Sequence, residues 1–221
     1  MRFHKHIIGL LCLIFILAQG LFAQEKMSTI EYHSQMKSSL HTLYKAGNIE
    51  NFKRSAQQLR KIAEQEQTKW VPFYHTSYAY VMAAFMSKEK FEAEEMLNQA
   101  QMMVDKANKF SPSNSEIIAL QGFIYQARVG INPKSKIHEF VQKAVQCYDQ
   151  ARFIKPENPR PYYLLGQILY RLPETMGGNK ENACKHFQQA SEKYQTFKPR
   201  SEFSPNWGAE GNLLMLEKCK Q

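Results

Sequence analysis

The chain has 221 residues, a formal net charge of +9, and a composition that is 43% hydrophobic and 12% aromatic. This excludes a collagenous, low-complexity or disordered polypeptide and suffices for one domain or a short repeat array. No block of like charge reaches five residues, so the basic balance reads as solvated helix faces rather than a polyanion-binding tract.

The N-terminus, MRFHKHIIGLLCLIFILAQGLFAQ, places Arg2 and Lys5 before an apolar run from Ile7 to Leu17, then small residues around Ala23-Gln24. That order is the n-region, h-region and cleavage site of a secretory signal over residues 1–23, too short and wrongly flanked for a stable span. A retained N-terminal anchor is the alternative reading. Cys12 follows Leu11 inside the apolar run, which argues against a lipoprotein signal. Cleavage leaves one domain over 24–221 and lowers the formal charge to +7, because Arg2 and Lys5 go with the signal. Export, to a periplasm, also removes most nucleic-acid roles.

Downstream, no run alternates apolar and polar residues with β-branched enrichment, and helical spacing occurs throughout. The pattern predicts helices near 27–46, 48–67, 70–87, 89–110, 114–129, 134–153, 159–171, 179–196 and 205–219. The breaks fall at Gly47-Asn48, Pro72, Pro112, Gly130 to Pro133, Pro156 to Pro161, Pro173 to Gly178 and Pro199 to Pro205. Nine helices with short joints read as an all-α stack of antiparallel hairpins, at 27–67, 70–110, 114–153 and 159–196, closed by a capping helix at 205–219.

Within this array a volume pattern repeats. Ala100, Val104, Ala107 and Pro112 match Ala144, Tyr148, Ala151 and Pro156, and Ala183, Phe187 and Ala190 repeat the first three members. Small residues seven apart with a bulky one between them share a helix face, which permits close approach while the bulky side chain fills the gap. The partner helices carry Ile118, Gly122 and Tyr125, then Tyr162, Leu165 and Gly166, then Trp207, Gly211 and Leu214. On these residues the chain resembles the tetratricopeptide repeat, whose first helix carries an aromatic and Leu-Gly and whose second carries Ala, an aromatic, Ala and a closing Pro. The match is good over 91–190, fair at Trp207–Leu214 and poor over 27–90, where Arg60 stands between Ala56 and Ala63. The stretches NPRPYYLLGQ, GGNKENACKHFQQA and SPNWG look like exported repeat proteins of bacterial envelopes, a resemblance that supplies no activity. The fold implied is a TPR-like α-solenoid.

Gly177-Gly178 is the one Gly-Gly pair. Before a helix it suggests an anion cradle, but neither a P-loop nor a dinucleotide fingerprint accompanies it. The structural reading accounts for every residue: Pro173 ends one helix, the glycines permit positive φ, and Asn179 caps the next with Glu181 in its first turn.

Reaction chemistry is sparse. The histidines beyond the signal, His33, His41, His75, His138 and His186, belong to no H-E-x-x-H, and no G-x-S-x-G or S-x-x-K occurs. Cys184 and His186 point about 200° apart on one helix. Cys147, Cys184 and Cys219 lack C-x-x-C spacing and read as buried small hydrophobes with one disulfide open to them. Met82, Met86, Met96 and Met103 read as packing between neighbouring helices rather than a copper site. The expectation is no enzyme, no metal and no cofactor.

In a TPR-like stack the first helices line a concave face. The resemblance places Tyr163, Gln167, Tyr170 and Arg171 there, joined by Phe123, Gln126 and Asn212 from neighbouring helices. Such a surface suits a peptide or envelope protein gripped by stacking and amide hydrogen bonds, so a noncatalytic interaction scaffold is the first reading. The alternative is a small-molecule or solute binder with a pocket between Gly177, Gly178 and Trp207.

Overall fold

The computed structural model describes residues 27–132 and 134–220. The signal over 1–23 lies outside the described residues. Helix starts follow local capping chemistry: Ser28, Asn48, Asn114 and Asn179 each accept a backbone N–H of the first turn through their side chains. The described residues form nine α-helices and no strand: α1 Thr29–Tyr44, α2 Ile49–Gln65, α3 Trp70–Met86, α4 Lys90–Phe110, α5 Ser115–Ile131, α6 Lys134–Ile154, α7 Arg160–Arg171, α8 Lys180–Thr196 and α9 Ala209–Cys219. No helix among them is long and apolar enough to cross a membrane.

Sequence-adjacent helices pair as antiparallel hairpins, α1–α2 to α7–α8, with α9 packed on α8. The odd-numbered helices also touch in order, α1 to α3 to α5 to α7, whereas the even-numbered ones pack chiefly on their sequence neighbours. The result is an all-α, TPR-like solenoid that curves with the odd helices inside. The anticipated small–large seam is its physical basis. Gly122 of α5 faces Tyr148 of α6, and a Cβ there would stand 2.5 Å from the ring; Gly166 of α7 faces Phe187 of α8 at 2.6 Å. Ala144, Ala151, Ala183 and Ala190 beside those rings are wholly buried. Buried polar groups reinforce the hairpins: Ser77 Oγ donates to Ala100 O and Ser115 Oγ to Ala151 O, each at 2.8 Å, tying a first helix to the backbone of its second.

The N-terminal hairpin departs from the repeat in a definite way. Its seam residue is Leu59, buried between Ala56 and Ala63, while Arg60 reaches outward to Glu64 at 2.7 Å and to Gln99 of α4 at 3.2 Å. Helix α3 is buried nearly all round, with Phe73, Tyr74, Ala79, Val81 and Ala83 inside.

The last helix starts at Ala209, not at 205. Gly208 has φ 103°, a left-handed conformation, and a Cβ on it would overlap the Tyr194 hydroxyl. Trp207 therefore lies before the helix, in an irregular strap running from Phe197 to Gly208. Cys184 and Cys219 form a disulfide joining α8 to α9; Cys147 is half-buried, and burial pushes its thiol up to about 11.

Candidate functional site

The strap passes back across the inner row of helices and is fastened by side chains far away in sequence. His75 of α3, fully buried, bonds Phe203 O through Nε2 at 2.8 Å. Because a carbonyl only accepts, Nε2 carries the proton and Nδ1 is the acceptor, facing the Tyr44 hydroxyl at 3.5 Å. Tyr44 Oη in turn accepts the Asn206 N–H at 3.3 Å. Burial holds the His75 imidazole down at about 4, helped by nearby Arg160, and lifts the Tyr44 hydroxyl to about 12. Both groups are neutral at ordinary pH.

Arg160, at the start of α7, is the strap's second fastening. It is 1% exposed, with Nη1 donating to Glu116 Oε1 at 2.8 Å and Nη2 donating to Pro205 O at 2.5 Å. Its guanidinium also lies 5.3 Å from the Trp207 ring and 5.2 Å from that of Phe197. Burial raises the Glu116 carboxyl above the usual carboxylate range, opposed by Arg160. Such a pair contributes little net stability, but removing one member strands the other.

These fastenings set the orientation of Trp207. Its indole Nε1 donates to Tyr74 Oη at 3.0 Å, and its carbonyl accepts from Tyr194 Oη at 3.2 Å. The ring stands nearly parallel to Tyr78 of α3, at 4.8 Å and 23°, and to Phe123 of α5, at 5.6 Å and 20°. Phe85, 40% exposed, continues the row 5.1 Å from Phe123. This aromatic row borders a cleft of about 690 Å³ on the inner side of the solenoid. Tyr163, Gln167 and Arg171 of α7, Met82 of α3 and residues 206–211 complete it. The volume lies in the range of small-molecule sites, and the lining mixes rings with the polar side chains of Gln167, Arg171, Asn206 and Glu210.

Four of the seven residues expected on the concave face, Phe123, Tyr163, Gln167 and Arg171, meet in this cleft. The amides among the seven turn inward. Tyr148 Oη donates to Gln126 Oε1 at 2.7 Å, Gln126 Nε2 to Gln167 Oε1 at 2.8 Å, and Gln167 Nε2 to Tyr163 Oη at 2.6 Å. Asn212 is buried below the cleft, donating to Phe187 O at 2.9 Å. Tyr170 packs toward Phe187, with Lys180 over its ring.

Of the alternative pocket, Trp207 borders the cleft and the two glycines do not. Gly177 closes the 3₁₀ turn Glu174–Met176 with φ 89°, and a Cβ on Gly178 would overlap Leu172 O. The N–H groups of Gly177, Gly178 and Asn179 are committed to Glu174 O, Pro173 O and Leu169 O. The Gly-Gly pair itself offers no free N–H to an anion, and the loop is the bend its residues imply.

Tyr44, Tyr78 and Phe85 escaped the sequence reading, and Met82, which reads there as helix packing, also borders the cleft. Tyr78, Met82 and Phe85 follow spacings of four and three along α3, one helix face, and that was the available signal. In a helix apolar on every side the face toward a cleft does not stand out.

No family model matches the chain, and no curated protein matches it. Among solved structures it is similar to the HusA haemophore from Porphyromonas gingivalis, 26% identical with a TM-score of 0.78 over 88% of this chain and 96% of that one. It is also similar to MamA, 19% identical with a TM-score of 0.40 over 75% of this chain and 90% of that one.

Proposed function

We propose that this protein is an exported, noncatalytic carrier of a flat conjugated ligand of the tetrapyrrole class, held in the cleft between α3, α5, α7 and the strap. The observation that carries the reading is the near-parallel set of Tyr78, Trp207 and Phe123, extended by Phe85, beside a cleft of about 690 Å³. The three rings are buried against one another and back the partly exposed Phe85 and half-buried Met82, which offer apolar surface to a planar ligand at low conformational cost, since the strap already holds Trp207 in place. The likeness to a haemophore spans nearly the whole of both chains and supports the same class of cargo. The Cys184–Cys219 disulfide and the signal-like residues 1–23 support an oxidising, exported setting.

A peptide-binding scaffold on a TPR-like frame is the reading the repeat resemblance implies, and Tyr163 and Arg171 do border the cleft. It needs free amides to meet a peptide backbone, yet Gln126, Gln167 and Asn212 are bonded inside the protein. The ring-lined cleft fits a planar ligand better.

Titration of the chain lacking residues 1–23 with iron protoporphyrin and with metal-free protoporphyrin, followed by absorbance, tests this. Saturable binding is expected, weakened about tenfold by Trp207→Ala through lost stacking and burial. Phe85→Ala, at a partly exposed position, gives the same readout if Trp207→Ala lowers the Tm. No binding of either compound, or affinities untouched by both substitutions, contradicts the proposal.

A further inference from the structure

Beside the main cleft lies a smaller hollow of about 310 Å³, and the two share Phe85, Gln167 and Arg171 along their common border. The hollow's own walls are Val129 and Gly130 of α5, Val141 of α6, and Ile168 with Leu172 at the end of α7. Its polar neighbours, Gln126 and Gln167, are bonded to one another and to Tyr148 and Tyr163. The hollow is therefore an apolar annex with a satisfied floor.

Among the described residues Arg171 is the only cation bordering either space. It is exposed and pairs with no described carboxylate, although Glu210 borders the same cleft. A guanidinium free to form two parallel hydrogen bonds, placed where a stacked ligand's edge would pass from cleft to annex, complements a carboxylate on that edge. The neighbouring apolar walls complement hydrocarbon substituents and would reject charged ones.

We infer that cleft and annex form one composite site selecting a planar ligand whose edge carries both small hydrocarbon groups, seated in the annex, and a carboxylate, paired with Arg171. The inference rests on the proposed tetrapyrrole cargo and names the substituents that the cargo must bear. It also assigns Arg171 as a specificity-determining residue.

The test compares protoporphyrin IX with its dimethyl ester by fluorescence titration at low and high salt, in wild type, Arg171→Gln, Gly130→Leu and Gly130→Ala. A Cβ on Gly130 meets nothing within 4 Å, so a larger side chain can start there beside the annex, and alanine controls for the change in helix propensity. Wild type is expected to prefer the diacid about tenfold, less so in high salt. Arg171→Gln should abolish that preference, weakening the diacid far more than the ester. Gly130→Leu should weaken both probes at least several-fold at a Tm no lower than wild type, and by more than Gly130→Ala does. Equal wild-type affinity for the two probes, equal loss of both in Arg171→Gln, or wild-type affinity in Gly130→Leu overturns the composite site while the cargo class stands. Failure of wild type to bind either probe overturns the cargo class, and the composite site with it.

Discussion

Hairpins α5–α6 and α7–α8 and the strap at 197–208 solve the problem of holding a chain in place in opposite ways. In the hairpins, position is set by volume: a glycine on one helix faces an aromatic ring on the next, between buried alanines, and the same solution recurs at Gly122–Tyr148 and Gly166–Phe187. In the strap, position is set by single hydrogen bonds with buried polar groups: His75 donates to Phe203 O, Arg160 donates to Pro205 O, and Tyr74 Oη accepts from the Trp207 indole N–H. The hairpins build the frame, and the strap turns one side of that frame into a cleft. The repeated part of the molecule explains its shape, while the unrepeated part shapes its cleft.

The largest effect that separates the two regions should come from Arg160. Arg160→Met leaves Glu116 buried without its partner and frees Pro205, and a loss of about 3–5 kcal/mol is expected from denaturant unfolding. Adding Glu116→Gln should restore much of it. A double variant as unstable as the single one would mean that shape, not charge, fastens the strap.

Next comes pH. Because burial holds His75 near 4 in the folded protein, against about 6.5 when unfolded, the unfolded chain takes up the proton first as pH falls. The contribution of neutral His75 is complete above about pH 6.5 and declines toward pH 4, by on the order of 3 kcal/mol. His75→Gln should flatten the slope of stability against pH in that window. An unchanged slope would show that His75 is not buried as a neutral imidazole in solution.

Smaller effects separate the glycines. Gly166→Ala drives a methyl into Phe187, a wholly buried ring with no room to move, and should cost about 1–3 kcal/mol by thermal unfolding. Gly47→Ala meets nothing within 4 Å and has no positive φ, so a change within about 0.5 kcal/mol is expected. Equal costs at the two positions would remove the seam as the basis of the frame.

The contrast also explains what the sequence made legible. A seam written in side-chain volume repeats every seven residues on a helix and every hairpin along the chain, so Ala144, Tyr148, Ala151 and their counterparts could be read without coordinates. Where the volume shifted by one residue, from position 60 to Leu59, the repeat faded from view although the packing persisted. The strap's bonds join residues as far apart as His75 and Phe203, and no period announces them. Trp207 could be singled out, but its place outside the last helix depends on the left-handed turn at Gly208. The outward-facing role assigned to Gln126 and Gln167 from helix register missed that two amides on adjacent inner helices satisfy each other. Register gives direction from one helix axis and says nothing of the neighbour that receives the side chain.

The central claim is that the strap and the inner helices together hold a planar ligand against Trp207. Hydrogen–deuterium exchange of the chain lacking residues 1–23, with and without saturating protoporphyrin, tests it most directly. Protection is expected to rise in peptides covering 203–211 and the inner faces of α3, α5 and α7, with α2 and the Gly177-Gly178 bend unchanged. Ligand-dependent protection confined to the outer helices or to that bend, with the strap exchanging as before, would contradict it.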